Sequence, residues 1–157
     1  MGFSIYQSKG KSTFADMLVK GNPSRYVRVN QDKLKTRKKC ERLCRGSLQK
    51  GKVPIIDRCN FDPSQRQHFL SIANDFGIPV DCIVFSYSMQ VCLTRCQERV
   101  GHETITQDNA RMVLRRMMKD FSPPLPDNQD EIFRAQRTVT AFQDAKDIVS
   151  EYLNEPE

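Results

Sequence analysis

Short apolar runs alternate with longer amphipathic stretches along this chain, the rhythm of βαβ units stacked into a parallel sheet. Phe3-Ser4-Ile5-Tyr6 is the first strand candidate. Strands buried on both faces usually run about 5–6 apolar residues, so this one reads as truncated. A helix is expected over 11–20, stopped by Gly21-Asn22-Pro23. Residues 26–29 form a second strand that ends at Asn30-Gln31-Asp32. One long helix is expected over about 33–50, with Leu34, Cys40, Leu43, Cys44 and Leu48 on its inner stripe and Gly51 closing it.

Val53-Pro54-Ile55-Ile56-Asp57 is a continuous apolar run ending in a carboxylate, the look of a central parallel strand with its proline at the beginning. Asp62 suits an N-cap and Pro63 the first helical position. Phe69, Leu70, Ile72, Ala73 and Phe76 then give an inner face, and Gly77 ends that helix. Residues 82–85 are a fourth strand, followed by helices over about 88–99 and 106–120 that are separated by a break at 101–105. Met112, Val113, Met117 and Met118 are expected to be buried. A Pro-rich connector over 122–127 and a last strand over 137–142 follow, and 143–153 reads as a last helix or a frayed tail. The expected fold class is α/β: one domain over 1–157, three layers, with a mainly parallel sheet.

Composition narrows the function classes. At 157 residues the chain is long enough for one domain with a real core. Its hydrophobic fraction is 38% and no apolar run approaches the roughly 20 residues of a membrane span, so no membrane partner is expected. The net charge of +6 is concentrated over 33–45, a face suited to polyanions, nucleic acid above all. A merely solvated helix surface is the plain alternative. Cysteines at 40, 44, 59, 82, 92 and 96 lie within apparent helices and strands. With no secretory leader pattern, they read as reduced intracellular thiols. Cys40/Cys44 and Cys92/Cys96 are each one helical turn apart, yet zinc wants four ligands and only His68 and His102 remain. Buried small side chains are the reading for both pairs.

Gly10-Lys11-Ser12-Thr13 resembles the back half of a phosphate-binding loop. There a helix N-terminus cradles phosphates, the lysine reaches the β and γ oxygens, and the serine hydroxyl ligates Mg²⁺. The full pattern would place glycine where Ile5 stands, and Ser8 and Lys9 occupy loop positions that are often glycine. In open α/β sheets, ligand chemistry gathers at the carboxyl ends of strands. Asp32 and Asp57 fall at two such ends, and Arg95 and Arg99 share one helical face beside Gly101, where a lid would hinge. Phosphoryl transfer needs these parts: a phosphate cradle, a metal-linked carboxylate, a base for the acceptor and mobile cations. Asp32 also suits the N-cap of the basic helix, and Asp57 also suits a cap of the next turn.

Arg28-Val29-Asn30-Gln31-Asp32-Lys33-Leu34, then Ile55-Ile56-Asp57-Arg58-Cys59-Asn60, Asp62-Pro63-Ser64-Gln65-Arg66 and finally Arg95-x3-Arg99 come in an order that is quite specific. In these residues the chain, over about 9–125, resembles the polynucleotide 5′-hydroxyl kinases, which have a P-loop NTPase/kinase fold. The resemblance implies ATP and Mg²⁺ as cofactors. It implies Asp32 as the base that takes the proton of a 5′-hydroxyl, and Ser8, Lys9, Gly10, Lys11, Ser12 and Thr13 as the ATP-binding segment. Ser12 and Asp57 would support Mg²⁺. Lys11, Arg95 and Arg99 would face the transferring phosphate, with His102 following in the lid. Lys35, Arg37, Lys38 and Arg66 would contact nucleic acid. Lys35 stands where the family often has arginine, which loses a bidentate fork.

The expected activity is ATP-dependent phosphorylation of a DNA or RNA 5′-hydroxyl end in repair or RNA processing, by an intracellular, monomeric protein with fused or associated repair domains. The alternatives are a P-loop kinase of small molecules and a non-catalytic nucleic-acid-binding module with a degenerate loop.

Overall fold

The computed structural model describes residues 2–5, 9–60, 62–88, 90–92, 94, 112, 115, 119, 121–124 and 131–156. Among the described residues five parallel strands form one sheet in the order β2-β3-β1-β4-β5. They are β1 (Gly2–Ile5), β2 (Tyr26–Asn30), β3 (Val53–Asp57), β4 (Asp81–Phe85) and β5 (Ala135–Val139). The helices whose bounds fall within the described residues are α1 (Lys9–Gly21), α2 (Gln31–Leu34), α3 (Arg37–Gln49), α4 (Pro63–Asp75) and α5 (Phe142–Asn154).

Successive side chains of a strand point to opposite faces, and two apolar layers result. Val29, Ile56, Cys82 and Val84 meet Cys40 and Cys44 of α3 and Phe69, Leu70, Ile72 and Ala73 of α4. On the other face Ile55, Ile83, Phe85 and Val139 meet Phe14, Ala15 and Leu18 of α1 and Ala145, Ile148 and Val149 of α5. The fold is therefore a three-layer α/β sandwich. Each fully buried Ile or Phe contributes roughly 1.5–3 kcal/mol before entropy is charged against it.

β3 is central. It pairs with β2 from Tyr26↔Val53 through Asn30↔Asp57 and with β1 from Gly2↔Ile55. Pro54 precedes the first β1 pair, which agrees with the expected placement of the proline near the strand's start. Asp62 caps α4 by accepting from the Gln65 N–H at 2.8 Å, and Pro63 opens the helix as its sequence position implies. Gly77 ends this segment at φ +62°, a conformation that a side chain would strain.

Four expectations are corrected. The basic stretch is two helices rather than one: Lys35 at φ +68° breaks the chain between α2 and α3, and Thr36 then caps α3. The first helix begins at Lys9 instead of Lys11. The last strand is Ala135–Val139, because Phe142 already belongs to α5. Asp144 folds back there to accept from the Thr140 and Ala141 N–H groups at 2.8 and 2.9 Å. Met112 is 69% exposed rather than buried. The lid break at 101–105, Cys96, Val113, Met117, Met118 and the end of the connector lie outside the described residues.

Candidate active site at the carboxyl edge of the sheet

β2 and β3 run in register to their carboxyl ends, where Asn30 lies opposite Asp57. Residues in register on parallel neighbours share a face, so Arg28, Asn30 and Asp57 all project toward α1. Four donors converge there on Asp57 Oδ2. They are Ser12 Oγ at 3.1 Å, Arg28 Nε at 2.8 Å, Arg28 Nη2 at 2.5 Å and Asn30 Nδ2 at 2.8 Å. Asp57 is 5% exposed, and these donors supply the pairing and hydrogen bonds that a buried carboxylate requires. Arg28 also reaches Asp16 of α1 at 2.6 Å. Burial alone would lower the Arg28 pKa, but the two carboxylates outweigh it and hold the guanidinium above its ordinary value.

Asn30 joins this cluster to the next element. Its Nδ2 donates to Asp57 while its Oδ1 accepts from the Lys33 N–H at 2.9 Å, which caps α2. Asn30 is thus the cap of the helical turn that carries Asp32, and Thr36 caps α3. Neither capping role falls to Asp32, whose side chain is left exposed in the first turn of α2. The capping alternative for Asp57 fails likewise, since its donors among the described residues are side chains of α1 and β2.

The first turn of α1 faces the same edge. Lys11 is 6% exposed and its Nζ lies 3.6 Å from Cys59 Sγ, in the turn after β3. Gly10 is fixed by space: a Cβ there would stand 2.9 Å from the Tyr87 ring and 3.1 Å from Phe85. Ser12, Lys11, Asp57 and the α2 turn with Asp32 therefore occupy one edge of the sheet. Thr13 lies one residue further along α1. Ser8, Arg95, Arg99 and His102 lie outside the described residues, and of Lys9 the structure describes only its place at the start of α1.

The basic residues separate into two groups. Lys35, Arg37 and Lys38 are exposed, with Arg37 paired to Glu41 at 3.0 Å and to His68 Nε2 at 2.6 Å. Arg66 is a correction. It is 0% exposed and clamps Glu131 through Nε and Nη2, while its Nη1 donates to the Ser122 and Asn60 carbonyls at 2.8 and 3.2 Å. With its N–H groups spent inside the protein, Arg66 has no surface to offer a nucleic acid. Sequence reading also missed Arg28 and Asn30 as the donors on Asp57, although their two-residue spacing on β2 marked them as sharing a face.

Hard oxygens at Ser12 Oγ and Asp57 suit Mg²⁺. Among the described residues Asp57 Oδ1 has no hydrogen-bond partner, so an oxygen remains for a metal-bound water.

The AAA domain family model matches residues 35–124, more than half of the chain. The chain is 33% identical over 121 residues to a protein of Arabidopsis thaliana named transcription factor bHLH140, covering 73% of this chain and 13% of that one. It is 40% identical over 78 residues to the bifunctional polynucleotide phosphatase/kinase of Schizosaccharomyces pombe, covering 50% and 19% of the two chains. It is 38% identical over 66 residues to a putative bifunctional polynucleotide phosphatase/kinase of Acanthamoeba polyphaga mimivirus, covering 42% and 15%. This chain spans less than a fifth of the length of each of these relatives. The crystal structure of APE1195 superposes with a TM-score of 0.55 at 14% identity, covering 97% of this chain and 90% of that one, a likeness of fold.

Proposed function

The chain belongs to the AAA domain family, and from that premise we propose that it is an ATP-dependent kinase that phosphorylates the 5′-hydroxyl of a DNA or RNA end. The observation that carries the reading is the Asn30 bridge, which ties the turn bearing Asp32 to the Asp57–Ser12 pair. The first turn of α1 and the exposed Asp32 thereby share one edge, which suits a phosphate cradle beside an acceptor base. The partial similarity to polynucleotide phosphatase/kinases points to the same acceptor class.

In this mechanism Lys11, together with the N–H groups that open α1, binds the β- and γ-phosphates of ATP. Asp32 accepts the proton of the 5′-hydroxyl as that oxygen bonds to the γ-phosphorus and the bond to the β-γ bridging oxygen breaks. A placed base of this kind contributes on the order of 10²–10⁴-fold. Ser12 and Asp57 would hold Mg²⁺, which offsets charge on the phosphates when bound. Arg28 fixes the Asp57 carboxylate and Asn30 fixes the α2 turn; both are positioning residues. Arg95 and Arg99 are proposed as the cations that follow the transferring group. Lys35, Arg37 and Lys38 line the acceptor's path, which favours a polyanion over a small molecule.

The test is acceptor choice. Labelled γ-phosphate is offered with 5′-hydroxyl oligonucleotides, with the same oligonucleotides already 5′-phosphorylated, and with free nucleosides. The reading expects label on the first alone, with acceptor affinity falling steeply as salt rises. Label on nucleosides with no salt dependence would make the chain a small-molecule kinase. Oligonucleotide binding with no ATP·Mg²⁺ binding would make it a non-catalytic module.

A further inference from the structure

The turn after β3, Asp57-Arg58-Cys59-Asn60, holds polar groups that the fold does not satisfy. Asn60 is 0% exposed, and among the described residues neither its Nδ2 nor its Oδ1 has a hydrogen-bond partner. Arg58 Nε and Nη1 are buried and equally without a hydrogen-bond partner among the described residues. The third guanidinium nitrogen, Nη2, reaches Gln65 Oε1 only at 3.5 Å, the outer limit of a hydrogen bond. The guanidinium stacks over the Phe69 ring at 5.5 Å, which holds the group in place without answering its N–H donors. Burial lowers the Arg58 pKa from its ordinary value, in line with a charge short of partners.

The neighbouring acids are already engaged. Asp57 is taken by Arg28, Asn30 and Ser12; Glu41 pairs with Arg37 at 3.0 Å; Glu131 is clamped by Arg66. Native structures leave few buried donors unmet, and each one left calls for a partner. The turn also touches the candidate active site, because Cys59, between Arg58 and Asn60, lies 3.6 Å from Lys11 Nζ.

We propose that Arg58 and Asn60 form a phosphate-binding site, with the free guanidinium N–H groups and the Asn60 amide donating to phosphate oxygens. The owner of that phosphate is the acceptor strand, an internucleotide phosphodiester near the 5′ end; this assignment, unlike the site itself, rests on the kinase reading above. Guanidinium is the side chain best matched to phosphate oxygens, and its charge strengthens each hydrogen bond.

The test follows the Arg58 Nε–H resonance in the whole chain, assigned by its loss in Arg58→Gln. Inorganic phosphate, ATP·Mg²⁺ and a 5′-hydroxyl oligonucleotide are titrated separately against chloride at matched ionic strength. Saturable shifts are expected with phosphate and with the oligonucleotide. Arg58→Gln should weaken oligonucleotide binding about tenfold and lower its salt slope by about one. ATP·Mg²⁺ affinity should be kept and Tm should not fall, since an unpaired buried charge has been removed. A Tm that falls while oligonucleotide affinity and slope stay unchanged would make Arg58 structural and overturn the site. So would an Arg58 signal indifferent to all three titrants. A response to ATP·Mg²⁺ and not to the oligonucleotide supports the site but gives its phosphate to the nucleotide. If the oligonucleotide shifts Arg58 yet wild type transfers no label, the kinase reading fails and the site stands.

Discussion

Replacing Arg66 by methionine separates a structural arginine from a nucleic-acid contact. The side chain is 0% exposed, and its substitution takes the guanidinium clamp away from the Glu131 carboxylate, itself 3% exposed. It also withdraws the donor that serves the Ser122 and Asn60 carbonyls. Breaking a buried pair by removing one partner costs about 3–5 kcal/mol. In a domain of this size each kcal/mol moves Tm by about 2–4 °C, so a fall of roughly 6–20 °C is expected. Arg66→Met/Glu131→Met removes both charges and should recover all but about 2 kcal/mol of the loss, the two orphaned carbonyls holding back about 1 kcal/mol each. Urea and thermal unfolding of wild type, the single and the double variant measure this directly. Oligonucleotide affinity, measured where all three are folded, should not change. A single variant that loses less than about 1 kcal/mol, or one that keeps its stability and loses oligonucleotide binding, would refute the structural assignment.

Two more predictions follow from buried titratable groups. Burial alone would raise the Asp81 pKa, but hydrogen bonds from Arg134 and Tyr152 outweigh it and hold the carboxyl below its ordinary value. A lowered folded pKa gives stability that is present above the unfolded value, about 3.9, and lost as pH falls through the folded one. Asp81→Asn should therefore be less stable than wild type at pH 6, with the gap closing below about pH 4; a gap independent of pH would remove Asp81 from acid unfolding. Burial pushes the Cys44 and Cys82 thiols up to about 12, so few thiolates form there at pH 8. Among the described cysteines, iodoacetamide should label the half-buried Cys59 first, and ATP·Mg²⁺ should slow that labelling through Lys11; Cys44 or Cys82 reacting as fast as Cys59 would contradict the burial assigned to them.

The elements with strong local signals could be read directly from the chain. Asp62-Pro63 and Gly77 bound α4 because a cap, a fixed φ and a left-handed turn each have a residue type suited to them. The apolar run ending at Asp57 marked the central strand for the same reason: its burial on both faces is written in consecutive residues. Lys35 was hidden, since a lysine among charged helix formers gives no sign that the backbone will turn to φ +68°. Arg66 was hidden by distance, its partner Glu131 lying 65 residues away, and spacing within a motif cannot distinguish a ligand contact from a buried clamp. Arg28 and Asn30 were half legible. Alternation put them on one face of β2, but only the β2–β3 register showed that this face meets Asp57.

The central claim is that Lys11 and Asp32 serve one phosphoryl-transfer site. Single-turnover transfer of labelled γ-phosphate to a 5′-hydroxyl oligonucleotide, run on wild type, Asp32→Ala and Lys11→Ala beside a direct ATP·Mg²⁺ titration, tests it. The account predicts that Asp32→Ala abolishes transfer with ATP binding intact, and that Lys11→Ala loses both. Transfer retained by Asp32→Ala would contradict it.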